Sequence, residues 1–267
     1  METPRTALTP RAPASRLLAP LDAIAAQSTT LRVERGAVFV SEGREYAIPL
    51  YEFTGPASGS DATVIGLFAG VHGDEPEGVE AMVRFLGQLA AAPEMGRGYV
   101  LCAYPVCNPT GLEDGTRHCR GGGDLNRMFW TGATRPEVRL LEGELRRRAF
   151  HGLIALHTDD TSHGFYSYVG GRMLTHYLIE PALAAAERLL PRNRAGVIDG
   201  FVADNGVIGQ WFPGVLSAPP EAHPKPFEIV LETPHAQVEP AGPDALVAAL
   251  CSVLDEYRRL MAYAVNL

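Results

Sequence analysis

Three residues of this 267-residue chain have the types and spacing to start a metal site. His72 and Glu75 stand three apart just beyond the apolar run Val64-Ile-Gly-Leu-Phe68. His157 closes a second apolar run, Leu153-Ile-Ala-Leu156, 82 residues after Glu75. A catalytic zinc usually takes three protein ligands and keeps one position for water. Two histidines and a carboxylate form a donor set well suited to that ion. Each residue also has a plainer reading. His72 could be a hydrogen-bonded turn histidine, Glu75 a helix cap, and His157 a satisfied histidine at a strand end. An HxxE pair alone carries little weight, so the rest of the chain must decide.

The elements that would position these residues can be read from periodicity. Residues 16–27 suggest a short amphipathic helix with Leu17, Leu18, Leu21 and Ile24 on one side. Residues 30–53 alternate in a β-like manner around a Glu42-Gly43 turn, which predicts a hairpin. Residues 63–68 are continuously apolar, as expected of a strand covered on both faces. Val79, Met82, Val83, Leu86 and Leu89 then mark a helix, with Pro76 in its first turn and Asp74 or Glu75 placed to cap it. Further strands are expected at 98–104, 153–156 and 229–231, and helices at 136–149, 174–190 and 243–264. Strands alternating with helices predict an α/β three-layer sandwich with a mixed, largely parallel central sheet. Ligands of such sheets bind beyond the carboxyl ends of the strands, where His72 and His157 both fall.

The segment from Tyr104 to Phe129 changes the weight of these observations. It holds Asn108-Pro-Thr-Gly111, then Arg117, then Asp124-Leu-Asn-Arg-Met-Phe129. This resembles the M14 family of zinc metallocarboxypeptidases. The resemblance extends to His72-Gly-Asp-Glu75, Leu156-His-Thr158 and Leu231-Glu-Thr-Pro234, in the family's order, across about residues 30–260. It implies one Zn²⁺ per chain, held by His72, Glu75 and His157. It further implies that Glu232 is the catalytic glutamate, that Arg117 lies beside the scissile carbonyl, and that Asn126 and Arg127 hold the substrate's terminal carboxylate. Asp124 looks like a residue that orients a ligand. General chemistry agrees with those roles. A carboxylate can take a proton from water and return it to the leaving amine. An arginine can stabilise an oxyanion, and the planar fork of another matches a free carboxylate. Glu228 competes with Glu232 as base, but the Glu-Thr-Pro context favours Glu232. Asp159 and Asp160 read as solvated loop carboxylates.

Composition sets the boundaries. The 46% apolar and 20% charged fractions are those of an ordinary globular protein. A net charge of −8 argues against a nucleic-acid partner, which would need a basic patch. No stretch approaches the roughly 20 apolar residues of a membrane helix, and the expected location is cytoplasmic. The four cysteines form no CxxC pair, so buried free thiols are expected. Residues 1–15 read as a disordered tail and 16–267 as a single zinc carboxypeptidase-like catalytic domain.

Some features depart from the larger members of the family. No long extension precedes the first strands, so no pro-region is expected. Residues 204–226 contain no tyrosine, although the digestive enzymes carry one in the corresponding mobile loop. Trp211, Phe212 or Lys225 could line a pocket there instead. Compact relatives include murein-peptide amidases and the succinylglutamate desuccinylase/aspartoacylase branch. The expected function is therefore a metallocarboxypeptidase acting on small peptides, murein-derived ones among them. An N-acyl amino acid deacylase is the alternative within the class, and a non-catalytic zinc- or peptide-binding protein the alternative outside it. The oligomeric state is left open.

Overall fold

The computed structural model describes residues 14–235 and 241–264. Most of the expected tail falls outside the described residues, but Ala14 and Ser15 already open the first helix. Among the described residues, ten strands form one mixed sheet: β1 (Leu31–Ser41), β2 (Arg44–Thr54), β3 (Thr63–Ala69), β4 (Tyr99–Tyr104), β5 (Gly152–Asp159), β6 (Tyr166–Val169), β7 (Val197–Ile198), β8 (Phe201–Asp204), β9 (Val207–Ile208) and β10 (Phe227–Pro234). Their order is β1-β2-β4-β3-β5-β10-β6-β9-β8-β7. The four central strands β4, β3, β5 and β10 are mutually parallel, while both flanks bring in antiparallel pairs. The register of β1 on β2 shifts between Glu34 and Ala37, where Gly36 interrupts the alternation.

The helices are α1 (Ala14–Ala25), α2 (Pro76–Ala91), α3 (Pro109–Asp114), α4 (Pro136–Arg147), α5 (Glu180–Ala186) and α6 (Gly242–Ala264). They divide between the two faces of the sheet because the central strands are apolar on both sides. Ile65 and Leu67 of β3, with Ile154 and Leu156 of β5, join the core under α1, α2, α5 and α6. Phe68, Leu153 and Ala155 point the other way, to a core closed by Val138, Leu141 and Leu145 of α4 and by Leu125 and Phe129. The three-layer sandwich expected from the sequence is what forms. Among the described residues no helix is long and apolar enough to cross a membrane, and the cysteines are free thiols.

Two expectations need correction. The helix expected over 174–190 forms without a break but with shifted ends: it begins at Arg172, widens to a π turn over Thr175–Ile179, and continues as α5 to Ala186. Strands β6 to β9 were not expected at all. Each is four residues or shorter, too brief for alternation to stand out from loop composition.

Candidate metal centre and active-site cleft

The site sits where the parallel strands end. His157 belongs to β5 and pairs directly with Glu232 of β10. Since side chains alternate along a strand, Val230 and Glu232 share the face that carries Ala155 and His157. On the other side of β10, Tyr166 and Tyr168 of β6 lie opposite Glu232 and Val230. Three residues past β3 comes His72, and Glu75 follows at the threshold of α2. A Cβ on Gly73 between them would overlap the backbone of Gly111 and Leu112. Only glycine lets the His72 loop seat so closely on α3.

The capping role expected of Glu75 is not what the structure shows. It occupies the N-cap position, but its side chain makes no capping bond. Instead its two oxygens face the two histidines. Oε1 lies 2.5 Å from His72 Nδ1 and Oε2 lies 2.9 Å from His157 Nδ1. The Thr158 backbone N–H donates to Oε2 at 3.1 Å. All three residues are buried. One ligand atom from each lies within 4.8 Å of the others, as a shared metal ion requires. His72 Nε2 meets Asp124 Oδ1 at 3.0 Å, the outer-carboxylate arrangement that fixes the ring of a ligating histidine. Nε2 of His157 is buried without a hydrogen-bond partner among the described residues. The donor set, its burial and this outer support all fit a divalent cation with an open position.

The electrostatics follow from the crowding. Burial works against a charged His72 ring, but Glu75 and Asp124 outweigh it and lift its pKa to about 9. Burial holds His157 below the usual range, with Glu75 opposing. Burial alone would raise Glu75 and Asp124, yet the imidazoles hold Glu75 below the ordinary carboxylate range. His72 and Arg117 do the same for Asp124. Glu232 is the exception: burial first, and then Glu75, Asp159 and Asp199, push its carboxyl well above its ordinary value.

One cleft of about 220 Å³ is lined by the three candidate ligands together with Arg117, Asn126, Arg127 and Glu232. All seven sequence-predicted site residues therefore meet in one place. Arg117 is tied inward, with Nε on Asp124 at 3.2 Å and Nη1 on Glu75 at 3.4 Å. Arg127 is held differently. Its Nη1 donates to its own neighbour's carbonyl, Asn126 O, at 2.7 Å, and its guanidinium lies 4.0 Å from the centre of the Phe212 ring. No carboxylate among the described residues forms an ion pair with it. Asn126 accepts the Leu216 N–H on Oδ1 at 2.8 Å, which leaves its amide protons as donors. The Gly121–Gly123 run supplies the turn before this pair, with all three residues at positive φ.

Other assignments sort as follows. Glu228 accepts from the Ala218 N–H at 2.6 Å and does not line the cleft. Trp211 and Phe212 do line it, whereas Lys225 borders a separate cavity at the opposite ends of the strands. Asp159 is not a solvated loop carboxylate: it accepts from Tyr166 Oη at 2.9 Å and lines the cleft. Tyr166, Tyr168 and Asp199 are cleft residues that sequence reading missed. The signal that could have found them is modest: the alternating Phe165-Tyr-Ser-Tyr-Val169 run and the Asp199-Gly200 turn dipeptide.

Residues 61–191 match the catalytic-domain family of succinylglutamate desuccinylase/aspartoacylase. Among solved structures, a candidate metallopeptidase from Shewanella baltica OS155 superposes with a TM-score of 0.75 at 22% identity, over 90% of this chain and 91% of that one. The chain has a zinc carboxypeptidase-type fold. A metallo-carboxypeptidase from Pseudomonas aeruginosa, in complex with (2-guanidinoethylmercapto)succinic acid, gives 0.68 at 18% identity over 92% of this chain and 70% of that one. Murein-tripeptide amidase MpaA from Escherichia coli O157 gives 0.52 at 20% identity over 82% and 91%. The resemblance read from the sequence is thus borne out, and the family and neighbours are hydrolases of the carboxypeptidase and amidase type. No curated protein is a significant match to the sequence.

Proposed function

We propose that the chain is a zinc-dependent hydrolase that cleaves an amide bond next to a free carboxylate, acting as a carboxypeptidase on small peptides. The observation that carries this reading is Arg127. It faces the cleft that holds the His72–Glu75–His157 cluster and Glu232, and although Asp124 lies near enough to feel its charge, no carboxylate among the described residues is in ion-pair contact with it. A buried or half-buried guanidinium with unused donors is matched by a planar carboxylate, in bidentate fashion. Asn126 adds amide donors beside it. A substrate anchored there would present its last amide bond toward the metal cluster.

His72, Glu75 and His157 would hold the zinc, which supplies Lewis-acid polarisation of the carbonyl and makes water more acidic. Glu232 accepts a proton from the attacking water and later returns it to the leaving amine. Arg117 donates to the oxygen that gains charge in the tetrahedral intermediate, and its tie to Asp124 and Glu75 fixes the direction from which it does so. The single catalytic domain is proposed to cover residues 16–267.

A second reading, an N-acyl amino acid deacylase, is favoured by the family match over residues 61–191. Both reactions release an amino acid with its carboxylate free, so the same anchor serves either. Zinc-loaded protein assayed on a dipeptide panel and on N-succinyl- and N-acetyl-amino acids separates them. Peptide turnover is the expected result, and brisk deacylation without peptide turnover would overturn the first reading in favour of the second.

A further inference from the structure

A second cavity, of about 540 Å³, lies at the amino-terminal ends of β5 and β10, away from the cleft. Its lining is largely apolar. Leu145 of α4, Phe150, and Leu153 of β5 are buried there. Tyr257 of α6 adds a ring that packs on Phe227 at 4.8 Å. The segment 218–226, with Pro219, Pro224 and Pro226, forms the rest of the wall. Cavities of roughly 300–1,000 Å³ with an apolar lining and a few fixed polar groups are the usual form of small-molecule sites. None of these residues belongs to the cleft.

The polar groups of this lining divide into those already used and those left free. Arg146 lies 3.0 Å from Glu221, the one acid among the described lining residues, and its guanidinium covers the Trp130 ring at 4.7 Å. Arg148 pairs with Glu52 at 3.3 Å and with Glu144 at 3.2 Å. Lys225 makes no ion pair with any described residue. Its charge is felt by Glu228, whose carboxyl burial raises and the Ala218 N–H and Lys225 draw back, but the two are not in ion-pair contact. His151 is fixed by its neighbour: the Val64 N–H donates to Nδ1 at 3.0 Å, so the neutral ring carries its proton on Nε2. That Nε2–H and the Tyr257 hydroxyl bond to no other described residue. The Phe227 N–H donates to His151 O at 3.1 Å, which brings Lys225, two residues before Phe227, to the same end of the sheet as His151.

We infer that this cavity binds an acyl carboxylate, a monoanion whose chain lies against Phe150, Leu153 and Tyr257 and whose acid group meets Lys225 and His151. The charge count selects the head group. In a chain of net charge −8 the lining keeps one free ammonium, because each of its two arginines already has acidic partners. One positive charge and neutral N–H and O–H donors match the two oxygens of a carboxylate. A phosphate dianion or a dicarboxylate would bring a second charge that loses its water without a partner, and a cation would meet Lys225. The lining selects the tail, since apolar area removed from water supplies most of the binding free energy. Lys225 is exposed, so water and salt weaken its share. The site does not depend on which reaction the cleft performs.

Calorimetry on the zinc-loaded full chain with decanoate, decanol and butyrate tests this. Decanoate should bind saturably at one per chain, about tenfold or more tightly than butyrate, which has the head group without the tail. It should bind about fivefold more tightly than decanol, which has the tail without the charge. Lys225→Gln should bring decanoate down to the level of decanol. Ala222→Trp, at a half-buried wall position, should fill the cavity and abolish binding of both. Thermal unfolding checks that each variant folds, and the exposed Lys225→Gln carries the test should Ala222→Trp fail to. Arg127→Ala should leave decanoate binding unchanged. Loss of binding in Arg127→Ala, with binding kept in both cavity variants, would place the carboxylate in the cleft and overturn the inference. So would the absence of saturable binding, or equal affinity for decanoate and decanol.

Discussion

The cleft has two sides of different origin. One is made at the carboxyl ends of β3, β5 and β10, strands packed on both faces by fully buried side chains such as Leu67, Phe68, Ile154, Leu156 and Leu231. It carries His72, Glu75, His157 and Glu232. The other is made by the short strands β6 to β9 and the loop that follows them, and carries Tyr168, Asp199, Trp211 and Phe212. The first side fixes chemistry to rigid elements, where small displacements of reacting groups are costly. The second presents the Asp199 carboxylate and the Tyr168, Trp211 and Phe212 rings to the cleft.

That division can be broken or sharpened experimentally, beginning on the chemical side. His157→Ala removes one of three candidate ligands and should abolish stoichiometric zinc, read by metal analysis after gel filtration, together with all measurable activity. Glu232→Gln should keep its metal and lose about 10²- to 10⁴-fold in kcat, the usual scale of a general base. Full activity in that variant would show that the proton goes elsewhere. Asp124→Ala acts one shell out, through His72, and should weaken zinc affinity by about 10- to 100-fold in a competition titration with a chelator. Arg127→Lys keeps the charge but loses the fork. The expected change is a rise in KM of about 10-fold or more, from loss of charge-assisted hydrogen bonds worth roughly 1.5–3 kcal/mol. On the other side, Phe212→Leu should raise KM by only about two- to fivefold, because a half-buried cation–π contact of this kind contributes about 0.5–1 kcal/mol. A larger effect there than at Arg127 would show that the ring, rather than the guanidinium fork, dominates the carboxylate anchor.

The same division governs what could be read from the sequence. Long apolar runs such as 64–68 and 153–156 announce buried parallel strands, and the residues just after them announce the metal cluster. Asn108, Arg117 and the Asp124–Phe129 run are legible because their spacing is set by tight turns, including the glycines at 121–123. Glu75 shows the limit of local reading. As a residue before a helix it looks like a cap, and only the return of β5, 82 residues later, draws its carboxylate to His157. The edge meander was hard to read because strands of two to four residues leave little periodicity, and because Asp199 sits in an ordinary turn and Asp159 at a strand end, positions that conceal the direction of their side chains. That no carboxylate makes an ion pair with Arg127, too, is a property of packing rather than of sequence.

Hydrolysis next to a free carboxylate is tested most directly by one matched pair: a dipeptide with a free carboxyl terminus and the same dipeptide as its C-terminal amide, each given to zinc-loaded protein with and without chelator. Cleavage of the free acid alone, abolished by chelator and restored by zinc, is the predicted result. Equal cleavage of acid and amide, or cleavage indifferent to chelator, would contradict it.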